Sequence, residues 1–335
     1  MNDCTWKILP HEILTKILIQ IPNLKQYIFV CKDFLYIINT IFSHYEKIYS
    51  NVKDWRNSYD LLLQKLFYLN TVDAVIFLYN NYGNIEIMSA YISFYAGYYN
   101  NYEILNHISN IDYQQLAIGA AEANNFNFIK HVEIFIEDYQ YIAESAAFGG
   151  NLEIVKYAIQ KGVKDYKRMA NFAAYKGSIH IIKYLVEEKG VNDFLNIALY
   201  GANSGSFDIV KYAIERGANN YQNIVNIASL NGSIDIVKYI VENNYNINCE
   251  EFAFYAIRGN NINIVQYAVS KGAHNYEELA EYAAIYGELD IVKYAIDLGA
   301  NDYQKIADYA DEMGYHDIVE YVLNIAKIIY LNTNE

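Results

Sequence analysis

The stretch GSIDIVKYIVENN, residues 232–244, has two near-copies in the chain: SFDIVKYAIERGA at 206–218 and ELDIVKYAIDLGA at 288–300. One amphipathic segment of this kind says little about a fold. Near-copies at a constant interval say that the chain is assembled from units. Aligned on the second aliphatic of the motif, copies fall at Val155, Ile182, Val210, Val237, Val265, Val292 and Val319, in steps of 27, 28, 27, 28, 27 and 27 residues. Weaker copies surround Val75, Leu105 and Ile129, at irregular steps of 30, 24 and 26. The array is therefore expected to begin near residue 61, with degenerate units over 61–138 and regular ones over 139–330.

Each unit contains two helical patterns. In NDYQKIADYADEMG, residues 301–314, the apolar positions Tyr303, Ile306, Ala307 and Ala310 form an i, i+3, i+4, i+7 stripe, with Asp302 placed to cap the helix and Gly314 to stop it. The next segment sets Ile318, Val319, Val322 and Leu323 on one face. Helices of about three turns are marginal alone in water. Stacking on neighbouring units is what hides their apolar sides. Alanine pairs recur where helices must approach closely, at Ala146-Ala147, Ala173-Ala174 and Ala283-Ala284. Glycines 162, 190, 217, 272 and 299 follow the second helix, where a left-handed residue ends it.

The totals agree with a packed helical array. Hydrophobic residues make up 53% of the 335 and charged ones 19%, and both prolines, Pro10 and Pro22, precede the repeats. Tyrosine is abundant at 36. It shares A/T-rich codons with the frequent Asn, Ile and Lys, so richness alone is not a functional signal. The formal net charge is −14, with residues 1–60 nearly neutral at seven basic and six acidic side chains. A surface of that sign repels phosphate backbones, so nucleic acid is not expected as a partner. Cys4, Cys31 and Cys249 are few and scattered, and no run of 18 apolar residues occurs. An intracellular, soluble protein that neither spans nor coats a membrane is expected.

The combination of an alanine pair, a glycine, an [LI]-[ED]-IVKY helix and a Gly-Ala turn resembles the ankyrin repeat, most closely in GNLEIVKY from Gly150 and GELDIVKY from Gly287. The resemblance implies an all-α solenoid of stacked helix–turn–helix units that binds a protein client. Two departures matter. No TPLH turn opens the first helix, and the units run about six residues short of the usual 33 or so. The missing part corresponds to the projecting β-turn finger, so nearly pure helix is expected.

Two tyrosine ladders accompany the repeat: Tyr157, Tyr184, Tyr212, Tyr239, Tyr267, Tyr294 and Tyr321, and then Tyr139, Tyr166, Tyr221, Tyr276 and Tyr303 with Phe194 on one rung. Repeat units reuse packing residues, so both ladders are assigned to packing between units rather than to a ligand. Lys156, Lys183, Lys211, Lys238 and Lys293 form a basic ladder, usually with an acid three residues earlier, as in Asp208–Lys211 and Asp235–Lys238. Such pairs contribute about 0.2–0.5 kcal/mol each and describe a solvated helix face.

Residues 1–50 lack the repeat. LPHEILTKILIQIPNLKQYIFVCKDFLYII begins at Leu9; Pro10 suits a first helical turn, and Ile13, Leu14, Ile17, Leu18 and Ile21 form a stripe. So small a helical segment has little core of its own and exposes aliphatics to a partner. Leu9, Pro10, Glu12, Ile13, Ile17, Leu18, Val30, Cys31, Lys32 and Phe34 resemble the F-box family, with Phe34 where tryptophan is common. The resemblance implies that Leu9, Pro10, Glu12, Ile13, Ile17, Val30 and Cys31 bind a Skp1-type adaptor of a cullin ubiquitin ligase. An ankyrin array joined to an F-box-like segment, in an A/T-biased chain, is similar to adaptors of giant DNA viruses, which implies the cytoplasm of a host cell. The other reading of residues 1–50 is a helical cap on the array.

Catalytic motifs are absent. The seven histidines are dispersed, His11-Glu12 lacks the second histidine of HExxH, and no GxxxxGK[ST], GxGxxG or GxSxG occurs. No catalytic, metal or cofactor residue is assigned. The expectation is a non-enzymatic protein–protein adaptor, with an uncharacterised enzyme as the remaining alternative.

Overall fold

The computed structural model describes residues 63, 64, 67, 75, 76, 79 and 85–333 except 244. The chain divides into two compact units, Met1–Lys164 and Asp165–Glu335. Among the described residues all regular structure is helical.

The first unit holds α1 (Ile85–Tyr98), α2 (Tyr113–Glu122), α3 (Phe126–Val132), α4 (Tyr139–Phe148) and α5 (Leu152–Gln160), with short 3₁₀ turns at Glu103–His107 and Glu133–Phe135. Its core gathers Leu63, Phe67, Val75, Met88, Ile92, Ile104 and Leu116, and α2 packs between α1 and α4.

The second unit alternates first and second helices. The first helices are α6 (Tyr166–Tyr175), α8 (Phe194–Asn203), α10 (Tyr221–Leu230), α12 (Cys249–Arg258), α14 (Tyr276–Tyr286) and α16 (Tyr303–Glu312). The second helices are α7 (Ile179–Lys189), α9 (Phe207–Glu215), α11 (Ile234–Glu242), α13 (Ile262–Ser270), α15 (Leu289–Asp297) and α17 (His316–Thr333). First helices pack on first helices in chain order, and the IVKY-type helices lie side by side in the same order. The repeat therefore works as expected: each unit hides its apolar side against the next. Second helices connect to the following first helices through short turns such as 190–193 and 216–220, with no strand among the described residues of the second unit.

Local chemistry explains the helix ends. The Lys305 N–H donates to the Asp302 side chain at 3.2 Å, and Asp165, Asn220, Asn248 and Asn275 cap their helices in the same way. Gly217 ends its turn at φ +112°, a conformation that an L side chain resists. The core is a double row of aliphatics and alanines, including Ile182, Val210, Val237, Val265 and Val292 with the three alanine pairs, all sealed from solvent. One expectation fails. Ile318 and Val322 are buried on α17, but Leu323 is 46% exposed. The matching Val186 and Ile214 lie in inner repeats, where a following repeat packs on the second helix.

Candidate functional site

The first helices present a continuous row of large side chains that the sequence reading did not single out. Phe172, Tyr200, Ile227, Tyr255, Tyr282 and Tyr309 recur at steps of 28, 27, 28, 27 and 27 residues, one from each first helix of the second unit. Phe172, Tyr200 and Tyr282 are 37%, 40% and 39% exposed, and the others are half-buried. One turn further along the helices, Tyr175, Tyr286 and Met313 are also exposed. The signal was present as a third aromatic ladder in step with IVKY. Its exposure was not visible, because it depends on what the adjacent unit covers.

The platform under this row is tied together by polar bridges. The Asn226 amide, sealed from solvent, donates to Glu251 at 2.7 Å and accepts from Gln222 at 2.9 Å, so a buried polar group is satisfied on both sides. Lys305 pairs with Glu281 at 2.7 Å, and Phe254 stacks on Tyr282 with ring centroids 4.5 Å apart. At the helix N-termini, side chains of one repeat accept backbone N–H groups of the next. Glu250 takes those of His274 and Asn275 at 2.7 and 3.1 Å, and Glu277 those of Asn301 and Asp302 at 2.8 and 3.3 Å. Gln222 brackets Asn248 with one accepted and one donated bond. In the first unit Gln114 plays the same part toward Glu137 and Asp138. These bridges occupy the place of the missing TPLH turn.

The two ladders assigned to packing do pack. Tyr212 is buried and its companions on the second helices are half-buried, as are Tyr139, Tyr166, Phe194, Tyr221, Tyr276 and Tyr303. In alternate repeats the hydroxyl also donates to a glutamate of the preceding second helix or turn: Tyr157 to Glu133, Tyr212 to Glu187 at 3.2 Å, and Tyr267 to Glu242 at 3.4 Å. A cation four residues on lies against the same ring, Lys161, Arg216 and Lys271 respectively. Burial pushes Tyr157 and Tyr267 up to about 12, and the neighbouring carboxylates add to the shift. The lysine ladder leans outward over the next repeat: Lys183 over Tyr212, Lys238 over Tyr267 and Lys293 over Tyr321, at 5.9, 6.0 and 5.6 Å. Lys293 also meets Asp290 at 3.4 Å.

Nothing among the described residues assembles into a reactive centre. A cavity of about 620 Å³ in the first unit is lined by Tyr91, Phe94, Tyr95, Tyr98, Gln115 and Glu122, among others, and brings no histidine, cysteine or lysine together. No three metal-ligating side chains converge among the described residues, and none of the described helices is long and apolar enough to cross a membrane. Leu9, Pro10, Glu12, Ile13, Ile17, Val30 and Cys31 lie outside the described residues.

Comparison with known proteins agrees with this architecture. Residues 170–251, 195–278 and 225–306 each match the family model of ankyrin repeats. No curated protein matches the chain. The matched span, 170–306, falls within the second unit and runs from within α6 to within α16, taking in Phe172 to Tyr282 of the row.

Proposed function

We propose that this chain is a protein-binding adaptor. The first helices of the second unit take a protein client, and residues 1–50 join that client to a Skp1-type subunit of a cullin ubiquitin ligase through Leu9, Pro10, Glu12, Ile13, Ile17, Val30 and Cys31. The observation that carries the client half is the row of Phe172, Tyr200 and Tyr282, exposed, with Tyr255 and Tyr309, half-buried, on a tied platform. Tyrosine offers large contact area with few rotatable bonds and a polar tip, which is why it concentrates at interfaces. The ankyrin match supports the same reading, since such repeats generally act by holding other proteins. The recruiting half rests on the F-box resemblance alone. No catalytic, metal or cofactor role is assigned to any residue.

The two halves are tested separately. A photo-crosslinking residue at Tyr255 is expected to capture a protein that one at Lys211, on a second helix, does not. Tyr200→Ala/Tyr282→Ala should abolish that capture. Equal capture from both positions would reject the client face. Purified Skp1-type protein should bind the full chain and lose binding to Leu9→Asp/Pro10→Ala. Binding indifferent to those changes would reject the recruiting role.

A further inference from the structure

Charge is distributed along the first helices in a way that the repeat does not require. α6 carries Lys167 and Arg168 and no acid, while α8 and α10 carry no charged side chain. α12 sets Glu250 and Glu251 against Arg258, α14 has Glu277, Glu278 and Glu281, and α16 sets Lys305 against Asp308, Asp311 and Glu312. Net formal charge in chain order is therefore +2, 0, 0, −1, −3 and −2. Adding the flanking Asp165 and Lys176 leaves α6 unchanged, and adding Asp193 and Asp302 makes α8 and α16 one charge more negative. The second helices show no such slope. From α7 to α17 they read 0, −1, −1, 0, −1 and −1.

The carriers at the two ends are on the surface. Lys167, Arg168, Glu278, Asp308, Asp311 and Glu312 are exposed, so their field reaches solvent. With packed helices about 8–10 Å apart, α6 and α14 are separated by roughly 32–40 Å. That is several times the screening length of about 8 Å at physiological salt. The ends therefore act as two separate poles, and no small ligand meets both. An extended polypeptide of about 12 residues does, at roughly 3.3 Å per residue. Between the poles, one large side chain per helix, Tyr200, Ile227 and Tyr255, meets such a strand about every third residue.

We propose that the first-helix face of the second unit binds an extended, charge-polarised polypeptide in one orientation, its lysine- or arginine-rich end against α14 and α16 and its acidic end against α6. This rests on the reading of that face as the client surface and adds to it the chemistry and direction of the client. The argument for a cationic end is complementarity: α14 and α16 carry six acids and one lysine, Lys305, which is paired with Glu281. Glu277 accepts backbone N–H groups and Asp311 lies 3.8 Å from His316, and Glu278, Asp308 and Glu312 add exposed negative charge beside them. Opposed charges set orientation and encounter rate more than they set affinity. The aromatic row supplies contact area that does not depend on direction.

The test uses the full chain and synthetic peptides of about 20 residues, long enough to span both poles. One peptide joins a Lys/Arg half to an Asp/Glu half and carries a fluorophore at its cationic end. The other has the same residues evenly mixed. At low salt the two-block peptide should bind about tenfold tighter than the mixed one, and the difference should fade as salt rises. Lys167→Glu/Arg168→Glu and Glu278→Lys/Asp311→Lys should each remove that preference. In the parent chain energy transfer from the fluorophore should reach a dye on α16 and not one on α6. The variant carrying all four changes, left with −2 on α6 and −1 on α14 and α16 together, should bind the two peptides alike.

Equal binding of the two peptides to the parent chain, or energy transfer to the dye on α6 in place of α16, overturns the proposal. The charge row is also self-complementary for two copies running in opposite directions. A salt-sensitive dimer of the full chain, seen by sedimentation and broken by either pair of changes, would overturn the proposal in favour of a second copy as the occupant. A photo-crosslinker at Tyr255 separates the failures. Capture of both peptides there with equal affinity sinks the polarity alone, whereas capture of neither sinks the client face itself.

Discussion

The two layers of the second unit are built from the same repeat and have diverged in opposite ways. The second helices keep IVKY or a near relative, keep their net charge between 0 and −1, and bind their neighbours through tyrosines whose hydroxyls or rings meet charges of adjacent elements. The first helices keep their buried alanines and aliphatics, the aromatic of their first turn in all but α12, and the large side chain of the part-exposed row, and they vary elsewhere. Their outward positions run from Arg168 through Asn196, Asn223, Glu251 and Glu278 to Lys305 in one column, and from Lys167 through Leu195 to Gln222, Glu250 and Glu277 in another. Repetition is kept where one unit must fit the next. It is relaxed where a polar side chain needs only to reach solvent or a polar group of the adjacent repeat.

The contrast is broken most severely through the buried positions. Ile236 on α11 is 1% exposed, and Ile236→Ala should lower unfolding free energy by about 2–5 kcal/mol. Tyr200→Ala, on the exposed row, should change it by no more than about 0.5 kcal/mol. Urea titration of both variants makes the comparison. A Tyr200→Ala loss as large as that of Ile236→Ala would mean that the row is core and not surface.

A smaller effect is expected where two first helices come unusually close. A Cβ on Gly259 would lie 2.0 Å from the Leu230 carbonyl oxygen, a backbone atom that cannot swing away. Two residues on, Asn261 donates its amide to the Ser229 and Leu230 carbonyls at 2.9 and 3.1 Å. Gly149 and Asn151 repeat the arrangement against Glu122 in the first unit. Gly259→Ala must push α10 and α12 apart and should cost about 1–3 kcal/mol, measured by the same titration. A neutral result would show that the first-helix layer is less rigid than its bridges suggest.

The smallest effect sharpens the account of the second helices. Tyr157, Tyr212 and Tyr267 titrate above their ordinary value in the folded chain, chiefly through burial. The unfolded chain then ionises first as pH rises past about 10. Stability present below that pH is lost progressively toward about 12, the folded value for Tyr157 and Tyr267. In Tyr157→Phe/Tyr212→Phe/Tyr267→Phe the alkaline loss of helical circular dichroism should begin at a higher pH than in the parent. An unchanged alkaline limb would show that these three hydroxyls do not report on folding.

Much of this architecture was legible before any coordinates. The 27- and 28-residue steps, the alanine pairs, the Asp or Asn before each first helix and the glycine after α7, α9, α13 and α15 are local or periodic signals. A helix cap needs only its own next three residues, and an apolar stripe needs only the 3.6-residue period. Those features settle that the described repeats are paired helices and, Leu323 apart, which of their residues lie inside.

Three other matters belong to the folded arrangement. Tyr212 is buried and Tyr282 is 39% exposed, although both sit on periodic ladders of the same residue type, because coverage is decided by where the adjacent repeat lands. Glu250, Glu277 and Gln222 read as ordinary helix-start residues until the next repeat offers its N–H groups. The charged positions of six first helices are 27 or 28 residues apart along the chain, and they become a single graded surface only when stacking sets those helices side by side. Periodicity marks what a helix must bury. What the rest of the helix meets depends on partners that are close in space and distant in sequence.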